Sequence, residues 1–126
     1  MYLAEVTCPV NVCTAWLPRL ARFLTALRVG DTDEALRHHR MAVRRDDWPL
    51  LPADLRAAHL VDAARAHLDG GDVTGAGRAL ADAHTVAPGE IHRRPAVRTL
   101  VAEIAQCGPA AAGVARLADL IGLTHP

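Results

Sequence analysis

The residues from Ala57 to Pro88, AAHLVDAARAHLDGGDVTGAGRALADAHTVAP, constrain the fold of this chain more than any other stretch. Leu60, Ala63, Ala64, His67 and Leu68 recur three and four residues apart, which is the period of one helix face. A Gly70-Gly71-Asp72 break follows, and Ala76, Leu80 and Ala83 resume the period before Pro88 stops it. Two helices joined by so short a break must fold back on each other. One antiparallel helical hairpin is the consequence.

Composition extends that reading to the whole chain. Half of the 126 residues are apolar, yet only Tyr2, Trp16, Phe23 and Trp48 are aromatic. An interior of Leu, Val and Ala favours closely approaching helices, because alanine is the best helix former and β-branched residues are sparse. The expected fold class is all-α. Every basic residue is Arg, in the manner of a high-GC bacterial genome, and acids balance them to a formal net charge of zero. A nucleic-acid-binding face needs a cluster of excess positive charge, so direct nucleic-acid binding is not expected. The three cysteines, Cys8, Cys13 and Cys107, form no CxxC pair, and no secretory leader pattern precedes them, which suits a reduced, cytoplasmic setting. No apolar run reaches the length of a membrane span.

Taken in order, residues 1–14 are expected to be an N-terminal arm or cap and residues 15–126 a helical-repeat domain. The spacing of Trp16, Leu17, Leu20, Phe23, Leu24 and Leu27 predicts an amphipathic helix from about Ala15 to Val29, with Pro18 in its first turn. Gly30 ends it, and Asp31 or Thr32 can cap a second helix reaching about Arg44, with Ala35, Leu36, His39, Ala42 and Val43 inward. The run from Asp46 to Pro52 reads as the longest loop. A third helix over Ala53 to Asp69 and a fourth over Val73 to Val86 follow, the latter capped by Asp72 and stopped by Pro88-Gly89. A fifth starts near Arg94 or Pro95 and runs to Gln106, and AAAGVARLADLIGL predicts a sixth.

Set against each other, Gly30-Asp31, Ala35, Arg37 and Ala42 recur as Gly71-Asp72, Ala76, Arg78 and Ala83. In each copy glycine closes a turn, aspartate caps the next helix, and alanine lets two helices approach. This pattern resembles the tetratricopeptide repeat. Leu60 stands at its first large apolar position, Ala63 and Ala64 at its Leu-Gly pair, and His67 at its tyrosine. Gly71 stands at its turn glycine, Ala76 at its small residue, Leu80 at its aromatic, Ala83 at its second alanine and Pro88 at its closing proline. The missing glycine, the histidine for tyrosine and the 41-residue step from Gly30 to Gly71 are departures. The run His59 to Ile104 is further similar to the C-terminal repeat domain of bacterial helix-turn-helix transcriptional regulators, without a DNA-binding part, as a stand-alone relative or a piece of a longer regulator. The resemblance implies a short right-handed superhelix of about three hairpins with a sensor or assembly role.

The repeat register would place the first helix of each hairpin on a concave face. Leu24, Leu27 and Arg28, then Val61, Arg65 and Leu68, then Arg98 would line an apolar groove with three guanidiniums. Arginine binds carboxylates bidentately, so the groove would take a peptide, a protein helix or a small acidic ligand. The plainer reading pairs Arg28, Arg65 and Arg98 with Asp62, Asp69 or Glu103. Terminal repeats need covering, and Trp16, Leu17 and Leu20 open the first hairpin with nothing convincing before them. A homodimer there, or a folded-back arm, would cover that face. His59 and Asp62 can touch on one helix while His67 is rotated away from them, so no metal or cofactor is expected and His67 is read as packing. No catalytic motif is present. The sequence therefore reads as a non-catalytic interaction or sensor module of a regulator, the alternative being an accessory protein or cofactor-free enzyme that uses groove histidines and acids.

Overall fold

A computed structural model describes the backbone of residues 10–107 and the side chains of residues 14–107. The described residues are all-helical. Helix α1 spans Val10–Arg28, α2 Thr32–Val43, α3 Ala53–Asp69, α4 Val73–Val86, α5 Pro88–Arg93 and α6 Pro95–Gln106. Most of the expected arm and the expected sixth helix lie outside the described residues.

The two hairpin turns are copies of each other. Gly30 and Gly71 carry φ values of 83° and 84°, the left-handed region that glycine enters without a Cβ clash. In the first, the Asp31 N–H donates to the Ala26 carbonyl at 2.9 Å and the Gly30 N–H to that of Leu27 at 3.2 Å. In the second, Asp72 donates to His67 at 2.8 Å and Gly71 to Leu68 at 3.0 Å. This is the Schellman closure of a helix end. Each aspartate also starts the next helix, its carboxylate accepting from the Glu34 N–H at 3.2 Å or the Gly75 N–H at 2.8 Å. One residue thus completes one helix and caps the other.

Helix α3 is the centre of the molecule. It packs most closely on α4, and also on α1, α2, α5 and α6. Alanines make the close approach possible: Ala35, Ala57, Ala63, Ala64, Ala66, Ala76 and Ala83 have no exposed surface. The largest buried cluster joins α3 and α4 to Ile91, Val97, Leu100, Val101 and Ile104 of α5 and α6. A second joins Phe23, Ala26 and Ala35 to Ala63 and Ala66.

Three boundaries differ from expectation. Helix α1 is already formed at Val10, so Pro18 sits in its interior and not its first turn. Pro88 does end α4, but it also opens the short α5, whose fixed φ suits a first helical position. Ile91 of that turn is buried beneath it. The run from Asp46 to Pro52 is no open loop: Trp48–Leu50 form a 3₁₀ turn, and Leu51 and Trp48 pack with Trp16, Leu20 and Ala42. That plug covers the end of the first hairpin from within the chain. Trp16 is 1% exposed, which corrects its reading as an open interface residue, whereas Leu17 beside it is 63% exposed.

Candidate functional site

The residues expected to line one groove are dispersed. Val61 is 4% exposed and belongs to the core between α3, α4 and α6. Leu68 packs half-buried on the same cluster, and Leu24 and Leu27 on the Phe23 cluster. Arg65 is committed to a neighbour. Its guanidinium donates to both Glu103 carboxylate oxygens at 3.2 and 2.5 Å and to Asp69 at 3.2 Å, strapping α3 to α6. That hydrogen bond holds the Glu103 carboxyl below its usual range. Arg98 is exposed on α6, and Arg28 is exposed at the end of α1. Burial raises the Asp62 carboxyl, with Arg94 and Arg28 pulling it the other way. Of the expected lining, Leu24 joins the interface candidate Leu20 in a narrow groove of about 120 Å³ between α1 and α3, with Phe23, Leu55, His59 and Asp62.

A larger cleft of about 490 Å³ lies between α2 and α4 over α3. Val43, Trp48, Leu60, Ala79 and Val86 give it an apolar lining, and His39, His67, Asp72, Arg78, Asp82 and Thr85 supply polar groups. His67 is held by Asp72, its Nδ1 lying 3.1 Å from Oδ2 of that residue while Oδ1 caps α4. This arrangement depends on Gly75. A Cβ there would stand 2.3 Å from Asp72 Oδ2 and 2.7 Å from His67 Nδ1. A glycine inside a helix costs about 1 kcal/mol relative to alanine, and here it makes room for the pair.

Behind His67 the histidines continue into the core. The rings of His67 and His39 meet edge to face at 5.9 Å, and His39 Nδ1 lies 2.9 Å from His59 Nε2. His39 is 8% and His59 5% exposed. Phe23 and Trp48 close around the His59 ring at 4.5 and 5.4 Å. Burial, reinforced by His67 and Arg40, lowers His39 to about 4. Burial and the His39 charge lower His59 to about 3. Both rings are therefore neutral at pH 7, and one N–H is shared between two nitrogens. His39 borders the α2–α4 cleft and His59 the α1–α3 groove. The pair spans the core from one depression to the other.

Compared with protein-family models, curated proteins and solved structures, the chain matches none. Its function must be argued from its own geometry. Among the described residues no group of three or more His, Cys, Asp or Glu side chains is placed to hold a metal ion, and no described helix is long and apolar enough to cross a membrane. Sequence reasoning placed His39 on the inner face of α2 and treated His67 as packing. It missed the His39–His59 bond and the cleft beside it. The available signal was a histidine within the buried stripe Ala35, His39, Ala42, since a buried imidazole requires a partner.

Proposed function

We propose that the chain is a non-catalytic interaction or sensor module of the helical-repeat type, binding a peptide, a protein helix or a small acidic ligand. The cleft between α2 and α4 is its ligand site. The observation that carries this reading is Arg78: it lies exposed on the cleft wall, above an apolar lining, and makes no ion pair among the described residues. Arg65, by contrast, is held by Glu103 and Asp69. A cleft with an apolar base and a few fixed polar groups is the usual form of a ligand site. Asp82 and Thr85 beside Arg78 would meet the amide and cationic groups of a peptide. The likeness of His59 to Ile104 to the repeat domains of bacterial regulators supports a role in transcriptional regulation, in the cytoplasm, with the exposed Leu17 end available to a second copy.

The test is selection of random peptides on the immobilised full-length chain, followed by calorimetry of the selected peptides. Peptides with an acidic residue beside an apolar one should dominate, and Arg78→Ala should weaken them about tenfold, the worth of one charged hydrogen bond. Unchanged affinity in Arg78→Ala sinks the cleft as the site.

A second reading is favoured by one observation, the carboxylate of Asp72 against His67 in the same cleft. A carboxylate that fixes an imidazole is the usual support of a general base. A cofactor-free enzyme or accessory protein of a biosynthetic pathway would use it. Under that reading His67→Gln abolishes a turnover that Arg78→Ala only weakens, whereas the binding module keeps its ligand in His67→Gln.

A further inference from the structure

A third depression lies on the outer side of the first hairpin, away from the cleft. Its lining is Arg19 and Arg22 of α1, His38, Met41 and Ala42 of α2, and Arg45 just past the end of α2. Three guanidiniums around about 60 Å³ repel one another unless something anionic lies between them. The acids within reach are already engaged. Asp47 accepts from Arg45 Nε at 3.0 Å and, more weakly, from Nη2 at 3.5 Å. Glu34 holds His38 at 2.9 Å and also pairs with Arg37. Among the described residues Arg19 and Arg22 have no carboxylate partner, and Arg19 Nε is buried with no acceptor.

A buried donor without an acceptor costs about 1–3 kcal/mol, so the Arg19 guanidinium is left uncompensated by the described residues. The arginines are also set in place beforehand. The guanidiniums of Arg19 and Arg45 each lie 5.8 Å from the Trp16 ring centroid, within the range of cation–π attraction, and Trp16 is itself locked in the core. The volume corresponds to about two waters at liquid density, the scale of one small oxyanion. Planar guanidiniums donate in parallel pairs to such oxygens.

We propose that this pocket binds a phosphoryl-type oxyanion, as free phosphate or as the phosphate of a small monoester. Arg19 and Arg22 supply the uncompensated charge, Arg45 the third fork, and Trp16 the platform beneath. Met41, 53% exposed on the rim, offers an apolar edge to an organic substituent. The site shares no residue with the α2–α4 cleft and does not depend on what that cleft binds.

The experiment is an NMR titration of the full chain with inorganic phosphate, phenyl phosphate and chloride at equal ionic strength, following the Arg19 Nε–H and Trp16 indole resonances. Saturable shifts with phosphate and not with chloride are expected, and Arg22→Gln should weaken them about tenfold, since it removes one charged donor pair. Arg22 is exposed, so its replacement leaves the fold intact; Arg37→Gln, next to Glu34 and outside the pocket, should leave binding unchanged. Equal affinity for both phosphates assigns the site to the free ion, and tighter binding of phenyl phosphate assigns it to a monoester. Absence of saturation in the wild-type chain, or identical shifts in Arg22→Gln, overturns the proposal.

Discussion

The two hairpins share a turn and differ in what they do with it. Gly30 and Gly71 have the same φ within a degree, and Asp31 and Asp72 make the same cap. Among the positions where they differ, three bear on the site. Ala26 of the first corresponds to His67 of the second, Glu34 to Gly75, and His39 to Leu80. In the first hairpin the turn is purely structural, and Glu34 turns outward to Arg37 and His38. In the second, the third residue after the cap, Gly75, has no side chain, and the space holds a histidine against the cap's second oxygen. The exchange at the third position runs the other way, putting an imidazole into a core that the second hairpin fills with leucine. At both sites a histidine is accommodated by a neighbour, Gly75 making room for His67 and His59 supplying a hydrogen bond to His39.

The largest expected consequence of the difference is acid sensitivity located where the first hairpin meets α3. His39 and His59 are lowered to about 4 and about 3 in the folded chain, against an ordinary value of about 6.5 when unfolded. Below pH 6.5 the unfolded chain takes up protons that the folded chain refuses. Stability is thus complete above about pH 6.5 and is lost as pH falls toward the folded values. The slope is about 1.4 kcal/mol per pH unit for each histidine in that window. The lowered carboxyls of Glu34, Asp47, Glu90 and Glu103 are partly exposed and act at lower pH. Urea unfolding at pH 7 and pH 5 should therefore show a steep loss in the wild type and a shallow one in His39→Leu/His59→Leu. Equal losses in both would show that the pair does not control acid stability.

At pH 7 the same pair gives a sharper comparison. His39→Leu places in the first hairpin the residue the second already has, but it leaves His59 buried without its partner. Each single replacement should cost about 1–3 kcal/mol. The double replacement should cost less than the sum of the two, because neither ring is then left unsatisfied. Additive losses in denaturant titrations would show that the 2.9 Å contact contributes no coupling.

How far the sequence foretells this molecule follows the distance over which each feature acts. The turns and caps were legible because Gly30-Asp31 and Gly71-Asp72 act within six residues, as were most boundaries of α2, α3, α4 and α6. The site was not. His39 and His59 are 20 residues apart, and Arg65 and Glu103 are 38 apart; only packing of α2 and α6 on α3 brings them together. Trp16 misled for a related reason. Helical spacing correctly gave it an apolar face, but the cover for that face, Trp48 and Leu51, comes from a stretch whose two prolines read as loop.

If the turns are equivalent, they should fail equally. Gly30→Ala and Gly71→Ala add a Cβ that meets nothing within 4 Å, so each carries only the backbone cost of the left-handed region, about 1–2 kcal/mol. The two losses should agree within about 0.5 kcal/mol, the usual scatter between independent sites. A clear inequality in chemical unfolding would mean that one turn carries strain or support that the matching hydrogen bonds do not reveal.

The smallest effect tests the difference most directly. Alanine for glycine inside a helix ordinarily gains about 1 kcal/mol. Gly75→Ala should forfeit that gain, because its Cβ would stand 2.3 Å from Asp72 Oδ2 and must displace either the cap, worth about 1 kcal/mol, or His67. Removing the histidine as well lets the carboxylate rotate away while Oδ1 keeps its bond to the residue 75 N–H. Gly75→Ala/His67→Ala should then recover the helix gain relative to His67→Ala alone. The first hairpin is already that double variant in outline: Ala26 stands in place of His67, a residue with a Cβ stands at Glu34, and the Asp31 cap is intact at 3.2 Å. If Gly75→Ala gains its full stability with His67 present, and the His67 ring resonances do not move, then the glycine serves the helix turn alone and the second hairpin has not been modified to hold a histidine.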